Sequence, residues 1–159
     1  MSNILIGING FGRIGRAITK INIEHDYFDL VLINDINPYV DNLAYLFKYD
    51  STYGKFQGSV ESLENKIVID NNKIPCTSYG KFSNVPWKEY GVSIVIDASG
   101  VEGNIEDAKN MVAQGEVSKV IFTHSSVETD YEVIMGVNDE SLSTDPHVVS
   151  NSICDANAI

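Results

Sequence analysis

Ten residues near the N-terminus leave this chain few folds to choose from: Gly7-Ile8-Asn9-Gly10-Phe11-Gly12-Arg13-Ile14-Gly15-Arg16. The apolar run Ile4-Leu5-Ile6 before them reads as a buried strand. Arg16-Ala17-Ile18-Thr19-Lys20-Ile21 after them reads as a helix, with Ile14, Ile18 and Ile21 at helical spacing. Gly10, Gly12 and Gly15 therefore form a G-x-G-x-x-G turn between a strand and a helix, the context this motif requires. Gly10 permits the tight turn, Gly12 lets backbone approach a pyrophosphate, and Gly15 lets the helix pack close to the strand. Free N–H groups at the helix start and the helix dipole both favour an anion there. Gly10, Phe11, Gly12, Arg13, Ile14 and Gly15 are the expected cradle for a dinucleotide.

A glycine-rich turn alone is common, so a second signal decides. Leu30-Val31-Leu32-Ile33 is another apolar run, ending at Asn34-Asp35, and Asp35 lies 20 residues after Gly15. A carboxylate at the end of a second strand accepts hydrogen bonds from the adenosine ribose and repels a 2′-phosphate, so NAD is expected over NADP. The plain alternative is a solvated Asp at a strand end. Arg13 and Arg16 likewise read either as a solvated helix start or, for Arg13, as a charge for the diphosphate.

The rest of the chain carries a matching pattern. Residues 40–47 read as a short helix with Leu43 and Phe47 on one face, and 48–54 as a surface loop. Residues 56–76 break into short runs around Glu64-Asn65 and Asp70-Asn71-Asn72, which predicts antiparallel strands with a hairpin turn at the second break. Residues 92–98 form an apolar strand ending in Asp97-Ala98-Ser99-Gly100. Ligands of open α/β sheets sit beyond the carboxyl ends of strands, which places Ser99 and Gly100 beside the cofactor. Residues 104–112 read as a helix with Ile105, Ala108 and Val112 on one stripe, stopped at Gln114-Gly115. Strands are expected at 119–122, at 131–137 and at Val148-Val149, with a turn-rich connector over 138–146. The fold class is α/β: a Rossmann-type, doubly wound, mostly parallel sheet with a small antiparallel insertion, one domain over 1–159.

Net charge is −11, from 11 basic and 22 acidic residues, which argues against nucleic acid or an anionic membrane as partner. The apolar runs are strand-length, and residues 1–8 lack the pattern of a signal peptide. The two cysteines, Cys76 and Cys154, make no disulfide framework. A cytoplasmic protein is expected. No cluster points to a metal.

Beyond these patterns, the opening decapeptide resembles glyceraldehyde-3-phosphate dehydrogenase. So do Ile33-Asn34-Asp35, Phe47-Lys48-Tyr49-Asp50-Ser51-Thr52-Tyr53-Gly54, Val85-Pro86-Trp87 and Met135-Gly136-Val137-Asn138. The resemblance runs in order through nearly the whole chain. It implies NAD as cofactor, a small-molecule aldehyde as substrate of the complete enzyme, and a homo-oligomer. It places Thr123 near the nicotinamide, with Ser125 as second candidate. His124 stands where the family usually has a small residue and reads as an incidental loop histidine.

Ser150-Asn151-Ser152-Ile153-Cys154-Asp155-Ala156-Asn157 resembles the family's S-N-x-x-C-x-x-N, which puts Cys154 on the catalytic cysteine. In that family the thiolate attacks an aldehyde, hydride passes to NAD, and phosphate cleaves the resulting thioester. Ile153, Asp155 and Ala156 stand where the family has Ser, Thr and Thr, so the hydroxyls that help to bind phosphate are missing. The family's catalytic histidine, substrate-phosphate residues and most of its subunit interface have no match here: the catalytic domain is absent from this chain. The expectation is the NAD-binding half of such a dehydrogenase, inactive alone. The alternatives are a short natural NAD-binding module, or a paralogue acting on another aldehyde such as erythrose-4-phosphate.

Overall fold

The computed structural model describes residues 4–142 and 147–151. The chain runs β1 (Leu5–Asn9), α1 (Arg13–His25), β2 (Asp29–Asn34), α2 (Val40–Lys48), β3 (Tyr49–Asp50), β4 (Gly54–Lys55), β5 (Val60–Leu63), β6 (Lys66–Ile69), β7 (Asn72–Thr77), β8 (Ile94–Asp97), α3 (Asn104–Ala113), β9 (Lys119–Phe122), β10 (Tyr131–Val133) and β11 (Val148–Asn151). Nine strands form one sheet in the order β10-β11-β9-β8-β1-β2-β7-β6-β5, and β3 and β4 make a separate hairpin. Every pairing from β10 across to β7 is parallel. β5, β6 and β7 pair antiparallel. This is the expected doubly wound sheet with its antiparallel insertion. β7 joins the two parts, pairing parallel to β2 through Ile33–Cys76 and Asn34–Thr77.

Strand β1 lies between β2 and β8, so the chain's direction of travel across the sheet reverses there. That reversal opens a crevice at the carboxyl ends of the strands. Ile6, Ile8 and Ile96 pack with Ile18 and Phe28 against α1. Ile33, Leu43, Phe47, Ile67, Ile69 and Cys76 close the face under α2. Leu32, Val95, Val120 and Phe122 pack with Trp87, Ile105 and Met111 under α3. Trp87 belongs to this core. A Cβ at Gly7 would stand 2.7 Å from its ring, so the glycine is what lets the indole lie on β1.

Three expectations change. Along α1 the buried residues are Gly15, Thr19 and Asn22, while Ile14 and Ile21 are about half exposed. A Cβ on Gly15 would sit 2.2 Å from the Gly10 carbonyl oxygen, so this side of the helix approaches the sheet too closely for large side chains. Thr19 and Asn22 satisfy their own polar atoms on the Gly15 carbonyl and the Phe28 backbone. The expected strand over 131–137 ends at Val133. Asn138 ends it: its side chain accepts the Ile134 N–H and donates to the Glu132 carbonyl, which curls the chain through Gly136. The loop over 48–54 contains the β3–β4 hairpin. Elsewhere the turn chemistry holds. Asp70 and Asn71 both take positive φ between β6 and β7, as a two-residue hairpin turn demands.

Candidate functional site

Three strand ends meet at the crevice, and each ends in a polar residue: Asn9 on β1, Asn34 on β2, Asp97 on β8. A cavity of about 300 Å³ opens above them, lined by Gly10, Gly12, Asp35, Ile36, Tyr79 and Ser99 among others. A cleft of about 360 Å³ lies at the other end of the sheet, between the last turn of α1 and the β6–β7 hairpin. No helix starts there and no parallel strand ends there, so the smaller cavity is the one with the chemistry of a site.

The glycines behave as their spacing predicts. Gly10 has φ +88°, and a Cβ there would meet the Ser99 backbone at 2.7 Å. Its N–H donates to the Asn34 carbonyl at 2.7 Å, which fastens the turn to β2. Gly12 faces open space, with nothing within 4 Å of a Cβ. No side chain caps the start of α1, and its first turn holds no acid. An anion entering beside Gly12 therefore finds helix N–H groups that no side chain of the helix's own first turn occupies.

Asp35 stands on the same turn. Its Oδ2 accepts the Phe11 N–H at 2.6 Å and its Oδ1 accepts the Asn37 N–H at 2.9 Å. An ionised carboxylate has about four acceptor positions, so two remain for hydroxyl donors. Beside it Ile36 and Tyr79 project from the ends of β2 and β7, 79% and 43% exposed. The other expected residues separate. Arg13 and Ile14 lie exposed at the helix start, and Phe11 turns inward, stacked on Phe47. Ser99 and Gly100 sit beyond β8, Gly100 at φ +73°. Thr123, half-buried at the end of β9, is held by its N–H on the Asp97 carbonyl at 3.0 Å. His124 rests edge-on to Phe122, and neither of its buried ring nitrogens has a hydrogen-bond partner among the described residues. Cys154 lies outside the described residues. Among those residues no group of His, Cys, Asp and Glu can hold a metal.

Sequence reasoning missed two clusters. Behind the glycine turn, Arg16 donates to the Phe11 carbonyl at 3.1 Å and, with Lys20, faces Asp50. The backbone N–H groups of Tyr53 and Thr52, with Lys20 beside them, lower the Asp50 pKa from 3.8 to about 2. Arg16 is thus committed, whereas Arg13 has no partner among the described residues. On the crevice floor, Asn9 joins Asp97 at 2.9 Å, and Asn34 joins Asn9 at 2.8 Å. The signal for this floor was available: three apolar runs, each ending in Asn or Asp.

Residues 4–105 match the family model for the NAD-binding domain of glyceraldehyde 3-phosphate dehydrogenase. The chain is 40% identical over 156 residues to the glyceraldehyde-3-phosphate dehydrogenase of Ogataea parapolymorpha, covering 97% of this chain and 45% of that protein. It is 37% identical to glyceraldehyde-3-phosphate dehydrogenase 1 of Kluyveromyces lactis, covering 98% and 46%. It is also 37% identical to glyceraldehyde-3-phosphate dehydrogenase 1 of Trichormus variabilis, covering 100% and 47%. The chain spans about half the length of these curated relatives. With the glycine turn, the acid and the parallel crevice in place, the chain belongs to the glyceraldehyde-3-phosphate dehydrogenase family, through its NAD-binding domain.

Proposed function

We propose that this chain binds NAD in the crevice above Asn9, Asn34 and Asp97. The diphosphate lies on the start of α1, against the backbone of Gly10, Phe11, Gly12, Arg13, Ile14 and Gly15, with Arg13 free to offset its charge. The adenosine ribose bonds to Asp35. Ser99 and Gly100 border the far wall, and Thr123 stands toward the nicotinamide. One observation carries this reading: the Phe11 N–H of the glycine turn donates to Asp35 at 2.6 Å. The two halves of the fingerprint are therefore one site, not two separate sequence matches.

When bound, NAD supplies a hydride acceptor. In a polypeptide as long as the relatives, Cys154 is the proposed nucleophile toward an aldehyde, and the product is an acyl phosphate made in glycolysis. We assign the 159-residue chain alone a binding role without turnover, in the cytoplasm. Its partner there is a second protein copy or the remainder of such a polypeptide. Ile153 and Asp155 favour this non-catalytic reading, because an apolar side chain and a carboxylate replace hydroxyls at the expected phosphate subsite.

Isothermal titration with NAD and NADP tests the site. Asp35→Asn is expected to weaken NAD about tenfold and to narrow its preference over NADP, since one charge-assisted contact is worth ~1.5–3 kcal/mol. An unchanged ratio removes Asp35 from the ribose. Steady NADH formation from glyceraldehyde 3-phosphate and phosphate by the purified chain would defeat the non-catalytic assignment.

A further inference from the structure

Four donors converge on one buried acid at the crevice floor, and none of them is a cation. Asp97 has 0% exposure. Its Oδ2 accepts Asn9 Nδ2 at 2.9 Å and Asn104 Nδ2 at 2.8 Å. Its Oδ1 accepts the Ser99 N–H at 2.9 Å and the Ser99 hydroxyl at 2.6 Å. A carboxylate has about four acceptor positions, and here all are taken. Asp97 has nothing left to offer a ligand.

Its effect passes outward through its partners. Asn9 must turn its NH2 toward Asp97, which turns its carbonyl toward Asn34. Asn34 then donates to Asn9 Oδ1 at 2.8 Å and to the Tyr79 carbonyl at 3.0 Å. That leaves its own carbonyl to accept from Thr77 Oγ1 and the Tyr79 N–H, both at 2.9 Å. Donors and acceptors alternate from β8 through β1 and β2 to the residues after β7. Reversing one amide would set donor against donor at the next contact. On the other wall, the Ser99 hydroxyl hydrogen goes to Asp97, and its oxygen accepts from Val101 N–H and Asn104 Nδ2, each at 3.2 Å. Ser99 therefore has no hydrogen to give a cofactor; it shapes the wall.

We propose that Asp97 is the positioning residue of the crevice: its carboxylate fixes the amides of Asn9 and Asn34 and the hydroxyl of Ser99, and so sets NAD affinity from both walls without touching NAD. This rests on the NAD site proposed above. An acid is required at this position because all four groups that face it donate; an amide would present two hydrogens to them.

The test compares four forms of the 159-residue chain: the parent, Asp97→Asn, Asp35→Asn, and the exchange pair Asp97→Asn with Asn9→Asp. Asp97→Asn is expected to weaken NAD roughly tenfold or more while leaving the NAD-to-NADP ratio as in the parent, because the ribose acid is untouched. Asp35→Asn changes that ratio. The exchange pair recovers part of the affinity, because the amide introduced at 97 donates to the carboxylate introduced at 9 while its contact with Asn104 stays mismatched. Hydrogen exchange at the Asn34 side-chain NH2, followed by NMR, reads the relay without cofactor. It is slow in the parent, fast in Asp97→Asn, and slow again in the exchange pair. Parent-like NAD affinity in a folded Asp97→Asn chain overturns the proposal. So does unchanged exchange at Asn34, or an exchange pair no better than Asp97→Asn. A parent chain that does not bind NAD overturns the proposed function instead, and the Asn34 exchange still decides the role of Asp97.

Discussion

The glycine turn is held from two sides by opposite chemistry. On the crevice side, Asn9, Asn34 and Asp97 form a buried network whose donors are all neutral. Behind the turn, Arg16 and Lys20 face Asp50, and Lys20 also lies 5.5 Å from the Phe47 ring centroid. The difference follows from what each side must face. A cation on the crevice floor would compete for a diphosphate or trap it; amides and a hydroxyl fix the geometry instead, by donating to the Asp97 carboxylate. Behind the turn no ligand is expected, and ion pairing there costs the site nothing. The side without cations depends on hydrogen-bond direction, so it should fail sharply when one member is lost. The ionic side depends on charge, which water and salt partly replace.

Asn34→Ala gives the largest expected effect. It strips partners from Asn9 Oδ1, Thr77 Oγ1 and both backbone polar groups of Tyr79. Leaving such groups unpaired in a buried floor should cost about 2–4 kcal/mol of unfolding free energy, read by urea denaturation. A loss below ~1 kcal/mol would mean that water repairs the floor, and the contrast between the two sides would collapse.

Gly12→Ala should separate binding from stability. The residue has φ −71° and open space around the added methyl, so unfolding free energy should change by less than ~0.5 kcal/mol. NAD affinity should still fall about tenfold, because the methyl occupies the path by which a diphosphate reaches the helix N–H groups. Unchanged affinity would move the diphosphate elsewhere in the crevice.

The fold was legible wherever local chemistry and tertiary packing demanded the same residue. Gly10 needs positive φ, Asp70 and Asn71 need it too, and Gly115 takes φ +68° where α3 stops. The helix stripe of α1 was not legible, because apolar periodicity assumes that the buried face is the oily one. Here the close approach at Gly15 admits only small or self-satisfied side chains, so Thr19 and Asn22 are buried and Ile14 and Ile21 are left outside. The early end of β10 had the same kind of cause: one side chain, Asn138, captures two backbone groups that a strand would otherwise pair. Asp35 was singled out because its distance from Gly15 is part of a known pattern. The position of Asp97 at a strand end was readable but its role was not, since nothing in a linear sequence reports that four donors converge.

The smallest effect tests the ionic side by pH. The backbone N–H groups of Tyr53 and Thr52, with Lys20, hold Asp50 at about 2 against an ordinary 3.8. A carboxyl with a lowered pKa in the folded state adds stability above its unfolded pKa, and this is lost as pH falls through the folded one. The parent should therefore melt above Asp50→Asn at neutral pH, by less than the Asn34→Ala loss. The gap should close between about pH 4 and pH 2 as the parent's own carboxyl takes up its proton. High salt should narrow it at neutral pH, whereas the Asn34→Ala loss should be indifferent to salt, since no ion pair is involved. A gap that survives at pH 2 would mean that the charge of Asp50 is not what separates the two chains, while no gap at neutral pH would place its role in the hydrogen bonds from Thr52 and Tyr53, which an amide oxygen also accepts.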